Sequence, residues 1–222
     1  MINQGGRTMT DAFKAVKPAG RPPILLFDLG NILVRLNPVN TLWPDQTPAA
    51  GSLSFSERWG LSRAVRDYET GRLADLDAFY LAAREELGFT VPEEQFVQVF
   101  RQVIGEPFTE TIPLLQALQP FYPLMLLSNT SRDHWEYCRD QLGLGGFFQD
   151  EFLSYRMGVM KPNPLIFRQV LAVLPEEPQN IWYFDDKAEN TAVATSLGFR
   201  AFTCWGGEPL VRQLRQLGLI QA

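Results

Sequence analysis

Ile24-Leu25-Leu26-Phe27 is a run without a polar position, set off by Pro22-Pro23 and closed by Asp28. A half-solvated strand alternates apolar and polar residues. An uninterrupted run marks a strand covered on both faces, as in a parallel sheet. Leu124–Leu127, after Tyr122-Pro123, and Ile181–Phe184 repeat the pattern; Arg200–Thr203 is a weaker version and Glu151–Ser154 a shorter one. Helical periodicity fills the gaps. Arg132–Leu142 runs to Gly143, Lys187–Leu197 to Gly198 and Pro209–Leu217 to Gly218, while Asn163 caps Leu165–Leu174 with Pro164 in the first helical position. From about residue 110 strand and helix alternate, which predicts a doubly wound, mostly parallel α/β sheet.

Residues 37–108 read differently. Ser62–Glu69 runs to Gly71 and Asp75–Leu87 to Gly88, and Thr90 with Glu93 has the spacing of a capping box opening a helix through Ile104. No strand is evident there. We therefore expect an all-helical cap at 37–108, inserted after the first strand of a core made of 21–36 and 109–222. Residues 1–20, with no apolar h-region, are expected to be a flexible leader, and Met9 is an alternative start. The 222 residues suit one such unit. Right-handed crossovers bring the carboxyl ends of parallel strands to one edge, where ligands of such sheets bind. An insert leaving that edge would overhang it as a lid.

Composition limits the chemistry. One His and two Cys, Cys138 and Cys204, cannot build a Cys/His zinc site, and a histidine-assisted nucleophile could use only His134. The net charge of −5 and the absence of Lys/Arg runs argue against a nucleic-acid partner. No stretch of 18 apolar residues would cross a membrane. Sparse cysteine fits a reducing cytoplasm. Gly145-Gly146 reads as a turn, and Gly206-Gly207 lacks the spacing of a nucleotide-binding loop. Oligomeric state leaves no mark in the sequence.

The ends of the apolar runs carry the polar groups. Asp28, Gly30 and Asn31 follow the first, Ser128, Asn129 and Thr130 the second, and Asp185-Asp186, with Asn190 beyond, the third; Lys161 precedes a helix. Asp28, Asp185 and Asp186 at one edge would repel one another unless a cation lay among them. An all-oxygen set suits Mg²⁺, which takes one or two carboxylates plus substrate phosphate. Lys161 and the Ser128 hydroxyl would then face a phosphoryl group, and a carboxylate could form an aspartyl-phosphate.

In order, LLFDLGN, LMLLSNT, GVMKPNPLIF and WYFDDKAEN resemble the four motifs of the haloacid dehalogenase-like hydrolase superfamily, over about residues 22–210. The resemblance implies a Rossmann-like core, with 37–108 as the helical cap found between motifs one and two in one subclass. Only 33 positions separate Ser128 from Lys161, so the alternative cap position is empty. It implies Asp28 as nucleophile and metal ligand, the Gly30 backbone oxygen and Asp186 as further ligands, Asp185 and Asn190 in support, and Ser128, Asn129 and Lys161 around the phosphate. The implied reaction is Mg²⁺-dependent hydrolysis of a small phosphorylated metabolite, with sugar phosphates as candidates.

Gly30 departs from the pattern. Phosphatases of the superfamily usually carry there an Asp that serves as general acid and then base, a role worth roughly 10²–10⁴-fold. Its dehalogenases also lack it, but do without the metal and the Asp-Asp pair. A dehalogenase with Asp28 attacking carbon, and a catalytically weak phosphate-binding regulator, therefore stay open. His134, or Arg132 beside it, is a candidate substitute in substrate contact or proton transfer; a substrate with an acidic leaving group is another solution. Arg35, Trp43 and Trp59 could face a lid cavity, Glu69 and Arg72 could close over the site, and Asn31 could hold the first loop.

Overall fold

The structure, a computed structural model, describes residues 12–39 and 53–221. In chain order the elements are β1 (Ile24–Phe27), β2 (Val34–Leu36), α1 (Phe55–Leu61), α2 (Arg63–Glu69), α3 (Leu76–Leu87), α4 (Glu93–Arg101), β3 (Ile104–Pro107) and α5 (Thr111–Leu118). They continue with β4 (Leu124–Ser128), α6 (Arg132–Asp140), β5 (Asp150–Leu153), α7 (Ser154–Met157), α8 (Pro164–Val173), β6 (Ile181–Asp185), α9 (Ala188–Ser196), β7 (Arg200–Thr203) and α10 (Glu208–Gln216).

Five strands form a wholly parallel sheet in the order β5-β4-β1-β6-β7. The apolar runs behave as their composition dictates. Leu25, Phe27, Leu124, Leu126 and Phe184 enter one core with Leu114 of α5, Trp135 of α6 and Val211 of α10. Ile24, Leu26, Met125, Leu127, Ile181 and Tyr183 enter the opposite core with Phe167 of α8 and Ala194 of α9. Successive residues of one strand thus feed opposite layers, and both layers are apolar. Register aligns the strand ends: Phe27 lies opposite Leu126 and Phe184, so Asp28, Ser128 and Asp185 emerge on one edge from three adjacent strands.

Helices α1–α4 build a third core, separate from both sheet faces and dominated by aromatic rings. Tyr68 stacks on Phe79 at 4.4 Å, and Trp59 meets Phe79 edge-on at 5.9 Å. Such ring pairs add about 0.5–1.5 kcal/mol each beyond the area they bury.

The structure corrects the reading of this insert in two places. Its base is not helical: β2 and β3 pair antiparallel beneath the helices. Ile104-Gly105-Glu106-Pro107 contains Gly and Pro and no alternation, so nothing in the sequence marks it as a strand. The capping box also lies elsewhere. Pro92 precedes α4 without a side-chain cap, whereas Ser54 and Glu57 form a reciprocal box on α1. Residues 13–16, within the expected leader, lie against the core: Ala15 bridges Ile220, and the Tyr122 hydroxyl donates to the Val16 carbonyl at 2.6 Å. Residues 1–11 and 40–52, including Met9 and Trp43, lie outside the described residues. Among the described residues no helix is long and apolar enough to cross a membrane.

Candidate active site

Lys161 is the centre of the arrangement at the sheet edge. Its side chain is buried, and Nζ donates to Asp28 Oδ1 at 2.8 Å, to Asp185 Oδ2 at 2.7 Å and to the Leu127 carbonyl at 3.0 Å. All three ammonium protons are therefore placed. Asn129 fixes the backbone beneath: its Oδ1 accepts from the Lys161 amide at 2.8 Å and its Nδ2 donates to the Lys161 carbonyl at 2.9 Å. Burial disfavours the ammonium, yet Asp28 and Asp185 hold its pKa above the ordinary lysine value.

Asp185 is fully buried and satisfied on every side. Besides Lys161 it accepts from the Tyr183 hydroxyl, from the Lys187 amide at 2.8 Å and from Asn190 Nδ2 at 2.9 Å. Burial pushes its carboxyl up, but Lys161 and these donors outweigh it and hold the pKa below the ordinary value. Asp28 is less well supplied. Burial pushes its carboxyl up to about 7, with Lys161 opposing and the Asp185 charge adding. Asp186 is part-buried and accepts from Asn31 Nδ2 at 2.9 Å.

Oxygens of Asp28, Asp185 and Asp186 all lie within 4.8 Å of one another. Asn190 keeps its Oδ1 buried without a hydrogen-bond partner. Three hard carboxylates and a spare amide oxygen, with no nitrogen or sulfur ligand among them, fit an oxygen-seeking divalent cation such as Mg²⁺.

A cavity of about 120 Å³ opens on this edge, lined among others by Asp28, Gly30, Ser128, Asn129, Lys161, Asp186 and Asn190. At ~30 Å³ per water it holds roughly four waters, a space of phosphate size. Its roof comes from α1, α2 and α4 through Trp59, Glu69 and Phe100. The residues singled out from sequence thus converge, with three exceptions among the described residues: Arg132 lines a separate cavity with Tyr68 and Asp133, and two others lie elsewhere. Arg35 lies over the Phe108 ring and bonds the Pro107 carbonyl, away from this cavity. Arg72 is exposed and pairs with Asp67 at 2.9 Å.

His134 reaches the cavity wall, but its ring is committed. Nε2 bonds the Phe100 carbonyl at 2.9 Å, the imidazole stacks on Phe100 at 4.1 Å, and burial pushes its pKa down to about 4. It is neutral near pH 7 and pins α4 to α6. Trp59 belongs both to the wall and to the aromatic core of the insert.

One participant was not singled out from sequence. Tyr183 supplies a donor to Asp185; its signal was period two, because residues 183 and 185 share a face of β6. Glu69, expected as a residue that could close over the site, stands in the cavity wall because of tertiary docking. The Ser154 hydroxyl donates to the Glu69 carbonyl at 2.6 Å and accepts from the Thr130 amide at 2.9 Å. Two residues on, Gly71 has φ +70° and packs so closely that a Cβ would collide with the Tyr155 carbonyl oxygen. Burial pushes the Glu69 carboxyl up to about 7, with Lys187 opposing.

Comparison with known proteins points the same way. The family described as haloacid dehalogenase-like hydrolase matches residues 23–198. A D-ribitol-5-phosphate phosphatase from Bacteroides thetaiotaomicron is 26% identical over 154 residues, covering 64% of this chain and 75% of that protein. Drimenol cyclase drtB from Aspergillus calidoustus is 24% identical over 211 residues, 87% of this chain; the chain spans only 36% of its length. Among solved structures, a HAD family enzyme from B. thetaiotaomicron, in complex with magnesium and inorganic phosphate, superposes with a TM-score of 0.73 at 26% identity, covering 88% of this chain and all of that one. An L-2-haloacid dehalogenase from Xanthobacter autotrophicus shares the fold, with a TM-score of 0.60 at 22% identity, covering 87% of this chain and 82% of that one.

Proposed function

The chain belongs to the haloacid dehalogenase-like hydrolase family, and from that premise we propose that it is a Mg²⁺-dependent phosphohydrolase acting on a small phosphorylated metabolite. The observation that carries the reading is the grouping of Asp28, Asp185 and Asp186 within 4.8 Å around a cavity into which Ser128 and Lys161 also face. The ribitol-phosphate phosphatase among its relatives supports a sugar or polyol phosphate as substrate.

Asp28, the Gly30 carbonyl and Asp186 would hold the cation, with Asp185 and Asn190 in support. When bound, a divalent cation there favours ionised carboxylates and balances charge on the phosphoryl oxygens. The chain supplies the rest. The Ser128 hydroxyl binds a phosphoryl oxygen, Lys161 supplies a fixed positive charge beside the phosphoryl group while its protons hold Asp28, Asp185 and the Leu127 carbonyl, and Asn129 keeps the Lys161 backbone in place. Asp28 attacks phosphorus, the alcohol leaves, and water then cleaves the aspartyl-phosphate. His134 shapes the wall and holds α4 through its bond to Phe100, and burial favours its neutral ring. Residues 37–108 act as the cap over the 21–36 and 109–222 core, excluding water and selecting the substrate. We assign the protein to a reducing cytoplasm, where Cys138 and Cys204 stay thiols.

A panel of small phosphate esters, assayed with Mg²⁺ and with EDTA beside Asp28→Asn, tests this. Phosphate release that needs Mg²⁺ and is lost in the variant supports it. Chloride release from 2-chloropropionate in the presence of EDTA would replace it with dehalogenation, and phosphate binding without turnover would replace it with a regulatory role.

A further inference from the structure

Resting on the phosphohydrolase reading, we propose that Glu69 is the general acid and base of this protein, supplied by the insert in place of the carboxyl that Gly30 lacks. Glu69 ends α2 and lines the cavity that holds Asp28, Gly30 and Asp186. Its carboxyl takes part in no hydrogen bond or ion pair with any described residue. The other carboxylates lining the cavity are engaged, Asp28 by Lys161 and Asp186 by Asn31. Its main chain is fixed from two sides, by the Ser154 hydroxyl and by the contact of Gly71 with Tyr155. The same Ser154 hydroxyl holds the Thr130 amide, two residues after Ser128. Motif two and Glu69 therefore share one anchor. The charged and titratable groups around the same cavity are Lys187, Asp28, Asp186, Lys161 and the neutral His134. Burial leaves the carboxyl able to hold or release a proton near neutrality.

The proton balance closes over one turnover. Asp28 Oδ forms a bond to phosphorus as the ester P–O bond breaks, and the departing alkoxide takes the Glu69 proton to leave as an alcohol. Water then attacks the aspartyl-phosphate and gives one proton to Glu69 carboxylate. The acyl P–O bond breaks, Asp28 regains its carboxylate and inorganic phosphate leaves.

The test compares leaving groups in the first turnover. Nitrophenolate departs unprotonated, whereas an alkoxide does not. For Glu69→Gln, alcohol release from an alkyl phosphate should slow roughly 10²–10⁴-fold. The first-turnover burst from p-nitrophenyl phosphate should stay within about tenfold of the intact protein, followed by slow turnover because the second step also lacks its base. That burst also reports a folded, competent Asp28. Glu69→Asp, which keeps an acid, should regain part of the alkyl rate. Equal slowing on both esters, slowing on neither, or Glu69→Asp behaving as Glu69→Gln would overturn the assignment while leaving the phosphohydrolase standing. An intact protein that releases phosphate from no ester would overturn both.

Discussion

Lys161 shows how much of this site is settled by a single side chain. Its ammonium joins the ends of β1, β4 and β6 through Asp28, the Leu127 carbonyl and Asp185. Lys161→Met would leave two buried carboxylates without their cation. We predict a loss of about 3–5 kcal/mol in denaturant unfolding without added metal. The loss should be larger at pH 8 than at pH 5, because protonation relieves the unpaired carboxylates at low pH; an equal loss at both would contradict the charge argument. Asp28, Ser128, Lys161, Asp185 and Asp186 were legible in the sequence because each follows, or faces across the sheet edge, an apolar strand whose end is unambiguous. Glu69 was legible only as a residue that could close over the site, because its placement depends on Gly71 meeting Tyr155, a contact 84 residues apart along the chain.

At the scale of elements, the insert docks on the core through the Tyr68 hydroxyl bond to Asp133 and, among the described residues, through two further contacts. One is the α2 end with its Gly71 turn. Gly71→Ala places a methyl group against a backbone carbonyl, whereas Gly88→Ala, also at positive φ, meets nothing within 4 Å. Both variants carry the left-handed strain of about 1 kcal/mol. Only Gly71→Ala should also lower kcat, because it displaces Glu69; equal kcat values in the two variants would contradict the docking role. The other contact is His134 on Phe100. Its imidazole has a pKa lowered from 6.5 to about 4, so the unfolded chain takes up the proton first and stability falls as pH falls through that window. Relative to His134→Gln, the intact protein should lose about 3 kcal/mol between pH 6.5 and pH 4. Parallel stability curves would show that His134 is not buried as a neutral ring. The helices were readable from their caps and glycine stops, but the β2–β3 ribbon was not. Val34-Arg35-Leu36 and Ile104-Gly105-Glu106-Pro107 are too short and irregular to signal strands, and they pair only because the fold brings these distant segments together.

On the scale of the whole molecule, the α/β core supplies the charge-bearing groups and the helical insert supplies the walls. The sheet could be read from its apolar runs because burial on both faces leaves little freedom of composition. The fit of the insert over the edge could not, since it follows from side-chain complementarity between distant segments. The cavity of about 120 Å³ lies between the sheet edge and the aromatic packing of the insert, so both parts of the molecule set its walls. The proposed hydrolysis turns on attack of Asp28 on phosphorus. Its most direct test is acid quenching of the Mg²⁺-loaded protein within the first turnover of a radiolabelled phosphate ester, followed by peptide mapping. Acid-stable label should appear on the peptide carrying Asp28 and be absent from Asp28→Asn. Phosphate release with no labelled protein, or label on a different residue, would contradict it.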